Sequence, residues 1–171
     1  MNNAILAVTS VLLSCLTFGC RSDTDRPNLE KLKTQAETEA RNLALVKGMW
    51  AAWISGDYDA YRNALSPDYV WRSPSNIPTP LSREETIAAG RALREAFPDA
   101  AYDLVEMIAS DDRVITRFVM RATHLGEFQG IPATGKKIEL SGIAIVRLAD
   151  GKVVEEREES DMLGLMRQLG K

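Results

Sequence analysis

One change of rhythm constrains the fold more than any other feature of this chain. Up to Phe97 the apolar residues recur at spacings of three and four; beyond Pro98 they alternate. The first pattern reads as helices and the second as strands half-buried on one face. A long helix is predicted from about Leu29 to Ser55, with Leu32, Ala36, Ala40, Leu43, Val46 or Lys47, Trp50 and Trp53 on its apolar stripe. Gly56-Asp57 ends it, and a short helix from Tyr58 to Leu65 follows. Ser66 to Trp71 turns into a short strand, and Ser73-Pro74 with Ile77-Pro78-Thr79-Pro80 reads as a loop. Ser82-Arg-Glu-Glu85 is a capping box opening a third helix, Arg83 to Phe97, which Pro98 stops.

The alternating half contains four predicted strands: Tyr102 to Ala109, Arg113 to Ala122, Ile138 to Leu148 and Val153 to Ser160. Asp111-Asp112 and Ala149-Asp-Gly-Lys152 are the turns between them. Helices first and a strand meander last specify an α+β domain with helices on one face of an antiparallel sheet. A chain of 171 residues has room for one such domain with a substantial core. The net charge of −3, without a basic stripe, argues against nucleic acid as a partner. A metal site is not expected either, because the chain holds one His, His124, and two Cys, Cys15 and Cys20, that precede the folded body.

Met1 to Gly19 carries no charged side chain, and Ala4 to Leu13 is mostly apolar. This is short for a spanning helix and fits the apolar core of an export signal. Residues 1–20 are therefore expected to be a signal peptide, 21–28 a polar tether and 29–171 the domain. A small residue before Cys after an apolar run, as in Thr-Phe-Gly-Cys20 and Leu-Leu-Ser-Cys15, resembles the lipobox of bacterial lipoproteins. Cys20 is the better candidate for lipidation because the chain turns hydrophilic directly after it. That places the protein in the cell envelope, lipid-anchored at the membrane, on the periplasmic side in a Gram-negative cell. An ordinary cleaved signal is the alternative.

Gly130-Ile-Pro-Ala-Thr-Gly135-Lys136-Lys137 has the spacing of a phosphate-binding loop but lacks the Ser or Thr after the Lys, and a strand rather than a helix follows. It reads as a hairpin loop. In the last strand, alternation puts Val154, Glu156, Glu158 and Ser160 on one face and Val153, Glu155, Arg157 and Glu159 on the other. Carboxylates facing an apolar cavity lose water and repel one another, which raises their pKa into the range of useful acid–base catalysts. The bland alternative is a solvated edge strand paired with Arg147, Arg157 or Arg121. Trp50, Trp53, Tyr58 and Tyr61 read first as core packing.

Several segments together resemble the SnoaL-like polyketide cyclase and ester cyclase family of the NTF2-like superfamily. They are Thr123-His-Leu-Gly-Glu-Phe-Gln-Gly-Ile-Pro-Ala-Thr-Gly135, Ser141-Gly-Ile143, Asp150-Gly-Lys-Val-Val-Glu155 and Leu163-Gly-Leu-Met-Arg-Gln-Leu-Gly170. Trp53 to Asp59, Ser66 to Tyr69 and Ala96 to Asp99 extend the resemblance into the helical half. It implies a cone, a strongly curved antiparallel sheet around an apolar pocket with three helices in the N-terminal half, and a homodimer through the outer sheet face. It implies a small apolar or carbonyl-containing ligand and acid–base catalysis without metal or organic cofactor. By this resemblance Glu158 is the general acid/base and His124 corresponds to the family's loop histidine. As catalytic residues, Glu158 would transfer the proton while His124 or Tyr69 orients the substrate's oxygen. The alternative for His124 is a rim residue bonded to the loop backbone. Trp71, Tyr69, Phe118, Trp50 and Asp161 are the expected binding residues. The pattern is not complete: cyclases that close anthracycline rings place an Asn and a His where this chain has Trp71 and Ala144. A non-catalytic envelope lipoprotein that binds an apolar ligand or a partner is the other function the sequence allows.

Overall fold

The computed structural model describes residues 25–73 and 77–171. The expected signal peptide and lipobox, with Cys15 and Cys20, lie outside these residues. The chain runs α1 (Asp25–Ser55), α2 (Tyr58–Ala64), β1 (Leu65–Ser73), β2 (Ile77–Ser82), α3 (Arg83–Ala96), β3 (Ala101–Ser110), β4 (Arg113–Thr123), β5 (Lys137–Ala149), β6 (Lys152–Ser160) and α4 (Met162–Leu169). The six strands form one curved sheet in the order β2-β1-β6-β5-β4-β3, with the helices against its concave side, so the α+β cone expected from the sequence is the fold found.

Three local differences have physical causes. Helix α1 starts at Asp25, inside the stretch expected to be a tether; Pro27 falls in its first turn, where the missing N–H costs nothing. Only the second half of α1 packs on the sheet. Leu32 is 62% exposed and Ala36 and Ala40 are exposed, whereas Val46, Met49 and Trp50 are buried. Docking begins where Glu39 accepts from the Asp111 N–H at 3.1 Å and the Asn42 amide donates to the Asp111 carbonyl at 2.9 Å.

The second difference is β2. Ile77 to Ser82, read as a loop because of its prolines, pairs antiparallel with β1 at the sheet edge, where a residue without an N–H is tolerated. The third is that β1 and β6 pair in parallel, with Trp71 opposite Glu156. The sheet is thus antiparallel except at this one junction, where the first strand meets the last.

The turns and caps follow the sequence closely. Ser82 caps α3 with the full reciprocal box through Glu85. Asp111 and Asp150 take the positive φ that a tight turn demands, followed by Gly151 in the second case. Asp161 caps α4 by accepting from the Gly164 N–H at 2.8 Å. The α4 helix is clamped to β5, because the Gln168 side chain donates to the Glu139 carbonyl and accepts from its N–H, both at 2.8 Å.

Candidate active site

The concave face of the sheet and the helices α1 and α3 enclose a cavity of about 350 Å³, within the range that holds a small organic ligand. Its walls are aromatic and aliphatic, with Trp50, Trp53, Trp71, Tyr102 and Phe118 prominent among them. Trp50 anchors the group, its ring centroid 5.2 Å from Phe118 and 6.0 Å from Tyr102. Against this wall stand the carboxylates Glu156 and Glu158, with Glu127 also on the lining.

How β6 delivers two carboxylates to one face depends on an irregularity. Opposite β5, Arg147 pairs with Glu155 but Leu148 pairs with Val153, so one extra residue is accommodated near Val154. The bulge resets the alternation. Val153 is buried inside although strict alternation puts it on the outer face, and from Glu155 onward the expected parity holds. Glu156 and Glu158 face inward; Glu155 faces outward and is bound by Arg72, Arg147 and Arg157 at 3.1, 3.4 and 3.0 Å. Burial by itself raises the Glu155 pKa, but the three arginines outweigh it and hold the carboxyl below its ordinary value. The two faces of the strand therefore differ: Glu155 pairs with arginines on the outer side while Glu156 and Glu158 line the cavity. Strand β6 lies inside the sheet rather than at the edge that the bland alternative expects.

The inner pair has no such partner. No Lys, Arg or His lines the cavity among the described residues, and neither inner carboxylate makes an ion pair there. Glu156 is 4% exposed, and its Oε2 accepts from the Tyr69 hydroxyl at 2.9 Å. Burial pushes its pKa up to about 7, with the Tyr69 bond pulling the other way. Glu158 is half-buried and lines the cavity. Loss of water raises its pKa to about 8, the Glu156 charge adds to this, and a hydrogen bond from Trp71 opposes it. Tyr61 and Tyr69 are both pushed well above the ordinary tyrosine value, first by burial and then by the Glu156 charge, so their hydroxyls stay protonated.

Of the residues expected to form the site, Glu158, Trp71, Phe118 and Trp50 line the cavity. Tyr69 is fully buried behind it and reaches the site through Glu156. Two are placed elsewhere. His124 is completely buried in the β4–β5 loop, off the cavity wall. Its Nδ1 lies 3.0 Å from the Thr134 hydroxyl and accepts from the Thr134 N–H at 3.3 Å, and its ring lies against Phe97 at 5.2 Å. There it organises the loop through Thr134 and does not reach the cavity lining. Asp161 is exposed and spends its carboxylate on the α4 cap. Glu156 and Tyr61 are among the polar members of the cavity wall missing from the expected set, with Thr86, Tyr102, Glu127, Gln129 and Ser160. Glu156 shares parity with Glu158, a signal present in the sequence; nothing there links either to Tyr61.

The sequence profile of the SnoaL-like polyketide cyclase family matches residues 44–169. Aklanonic acid methyl ester cyclase DnrD from Streptomyces peucetius is 29% identical over 130 residues, 75% of this chain and 90% of that protein. Two solved structures are similarly near. AclR from Streptomyces galilaeus, described as a candidate hydroxylase, gives a TM-score of 0.70 at 32% identity and covers 77% of this chain and 97% of its own. IdmH from Streptomyces antibioticus, a candidate polyketide cyclase, gives 0.67 at 31% identity, covering 76% and 99%. Profile, identity and cone agree, and the chain belongs to the SnoaL-like polyketide cyclase family.

Proposed function

We propose that this protein moves a proton beside a carbonyl group of an apolar ligand held in the cavity, in the manner of a polyketide or ester cyclase, with Glu158 touching the reacting atoms. The observation that carries this reading is a carboxylate on an aromatic cavity wall with no cation to neutralise it among the described residues. A carboxyl raised to about 8 matches the acidity needed near neutral pH far better than an ordinary one does. The surrounding rings keep water from the enolate that such a step produces. Similarity alone does not choose the reaction, since a cyclase and a candidate hydroxylase are about equally similar to this chain.

The test uses a simple apolar ketone with acidic C–H bonds, 2-tetralone, in deuterated water, with exchange of its α-hydrogens followed by NMR. Saturable exchange above the buffer rate, lost by a factor of about 100 or more in Glu158→Gln, is the expected result. Equal exchange in the two proteins overturns the reading. Trp71 and Ala144, standing where relatives that close anthracycline rings place polar groups, favour a second reading: a non-catalytic carrier of an apolar ligand. That reading expects 2-tetralone to raise the melting temperature without any exchange.

Two further parts of the proposal concern location and assembly. Export and lipid attachment at Cys20 are supported by the uncharged apolar stretch before that residue; mass spectrometry of the mature N-terminus tests them. A homodimer through the outer sheet face is supported by an apolar row in register across three strands, Ile108, Ile115 and Ile145, with Ile143 beside it.

A further inference from the structure

The cavity holds a second inward carboxylate that the single-residue reading leaves without a task. Glu156 and Glu158 are two positions apart on one face of β6, opposite Val146 and Ala144 of β5, which bring no charge to either. From α2 comes Tyr61, from β1 come Tyr69 and Trp71, and from β3 comes Tyr102, all neutral at ordinary pH. Phe118 of β4 and the α3 residues on the lining bring no charge, and Glu127 of the β4–β5 loop is a further carboxylate on the lining. Glu159 of β6 itself faces outward and adds only a minor push to Glu158. Two negative charges at this spacing, without a cation, cannot both be sustained in an apolar enclosure. The groups around the pair also make its members unequal. Tyr69 donates to Glu156 Oε2 at 2.9 Å and so favours the ionised form of Glu156. The resulting charge favours the protonated form of Glu158.

We infer that Glu156 and Glu158 act as one acid–base pair, in which Glu158 donates a proton to the ligand's carbonyl oxygen while Glu156, fixed by Tyr69, accepts the proton from the adjacent carbon. This rests on the carbonyl chemistry proposed above and changes the part each residue plays. The first step breaks the α C–H bond and the Glu158 O–H bond together. The ligand becomes an enol, Glu156 becomes neutral and Glu158 becomes the anion, so the pair keeps one proton and one charge throughout. In the second step the enol carbon attacks a second carbonyl of the same ligand and forms the ring bond. The enol O–H proton returns to Glu158, Glu156 gives its proton to the new alkoxide, and the starting arrangement is restored. Tyr69 is a positioning residue: it holds one Glu156 oxygen and leaves the other to accept the proton.

The experiment is a carbon NMR titration of protein labelled at the glutamate δ-carbons, from about pH 4 to about pH 10, with no ligand present. Wild type is compared with Glu156→Gln, Glu158→Gln and Tyr69→Phe. The pair predicts two separated steps in the wild type. In Glu156→Gln the Glu158 midpoint falls by roughly one unit, and in Glu158→Gln the Glu156 midpoint falls. In Tyr69→Phe the lower of the two steps moves up. If Glu156→Gln fails to fold, the Glu158→Gln protein reads the same coupling from the other side. A Glu158 midpoint unchanged in Glu156→Gln, or a Glu156 midpoint unchanged in Glu158→Gln, overturns the pair. Tetralone exchange separates the two proposals. Exchange that persists at the wild-type rate in Glu156→Gln returns the chemistry to Glu158 alone and overturns this inference. Coupled titration with no exchange in any protein overturns the catalytic roles together with the reading they rest on.

Discussion

Glu155 and Glu156 are adjacent in β6, yet one binds three arginines on the outer face and the other binds Tyr69 inside the cone. One peptide bond therefore separates a carboxyl held below its usual range from one pushed to about 7. The contrast has opposite consequences for stability, since the solvated network releases energy on ionisation and the buried carboxyl consumes it.

The first consequence is a pH dependence with a definite sign. The folded pKa values of Glu156 and Glu158 lie above the unfolded value of 4.5. The folded state thus binds more protons across the interval, and stability contributed below 4.5 is lost as pH rises through about 7 and 8. For Glu156 the loss is on the order of 2–3 kcal/mol. Glu84, Glu85, Asp99 and Glu155, whose values are lowered, act in the opposite direction and only at acid pH. Urea midpoints should decline between about pH 5 and pH 8.5, and Glu156→Gln should flatten the decline. A flat wild-type profile would show that the inner carboxyls ionise normally.

Gly142 sets the cavity width on the β5 side. A Cβ added there meets Phe118 Cζ at 2.5 Å and the Glu159 carbonyl oxygen at 3.1 Å. The ring must yield, because the strand backbone does not, and it packs on Trp50 at 5.2 Å on the cavity wall. Gly142→Ala should cost about 1–3 kcal/mol and weaken binding of apolar ligands. Thermal unfolding with and without 2-tetralone reads both, and an unchanged ligand-induced shift would contradict the assignment.

Asp161 is a cap and nothing more. Asp161→Ala should lower stability by about 1 kcal/mol, with Asp161→Asn retaining most of it. The Glu158 titration should be the same in all three proteins. A moved Glu158 midpoint in Asp161→Ala would restore Asp161 to the site.

The apolar row on the outer face gives a separate measurement. Ile108 and Ile115 are 50% and 39% exposed, and Ile143 is 47% exposed. Ile115→Arg should leave monomer stability within about 0.5 kcal/mol while abolishing the proposed dimer in sedimentation. A sedimentation coefficient unaffected by the change would overturn the proposed dimer through this face.

The fold was legible where local chemistry dictates it. The Ser82 box, the Asp150-Gly151 turn and the alternation of Val114, Thr116, Phe118 and Met120 each specify their own geometry. What escaped notice depends on residues distant in sequence. The prolines around Pro78 and Pro80 argue against a strand until β1 supplies an edge for them. The bulge at Val154 is invisible because both parities of Val153 and Val154 look equally apolar. His124 carries the right chemistry for a site, but only the folded loop shows its Nδ1 committed to Thr134. Glu156 stood beside Glu158 in the pattern, and only its partner Tyr69 was hidden.

That partner is 87 residues away, and β6, last of the strands to be synthesised, lies between β1 and β5 in the finished sheet. The β3–β4–β5 meander can form from neighbouring segments, but the two halves of the sheet join only when Lys152 to Ser160 is available to both. A nascent chain lacking those residues has neither the continuous curved sheet nor any of the inner carboxylates on β6. The cavity wall and its inner carboxylates therefore arrive in a single late event, and a chain released early leaves β1 and β5 as two unpaired edges beyond the β2 and β3 edges of the finished sheet.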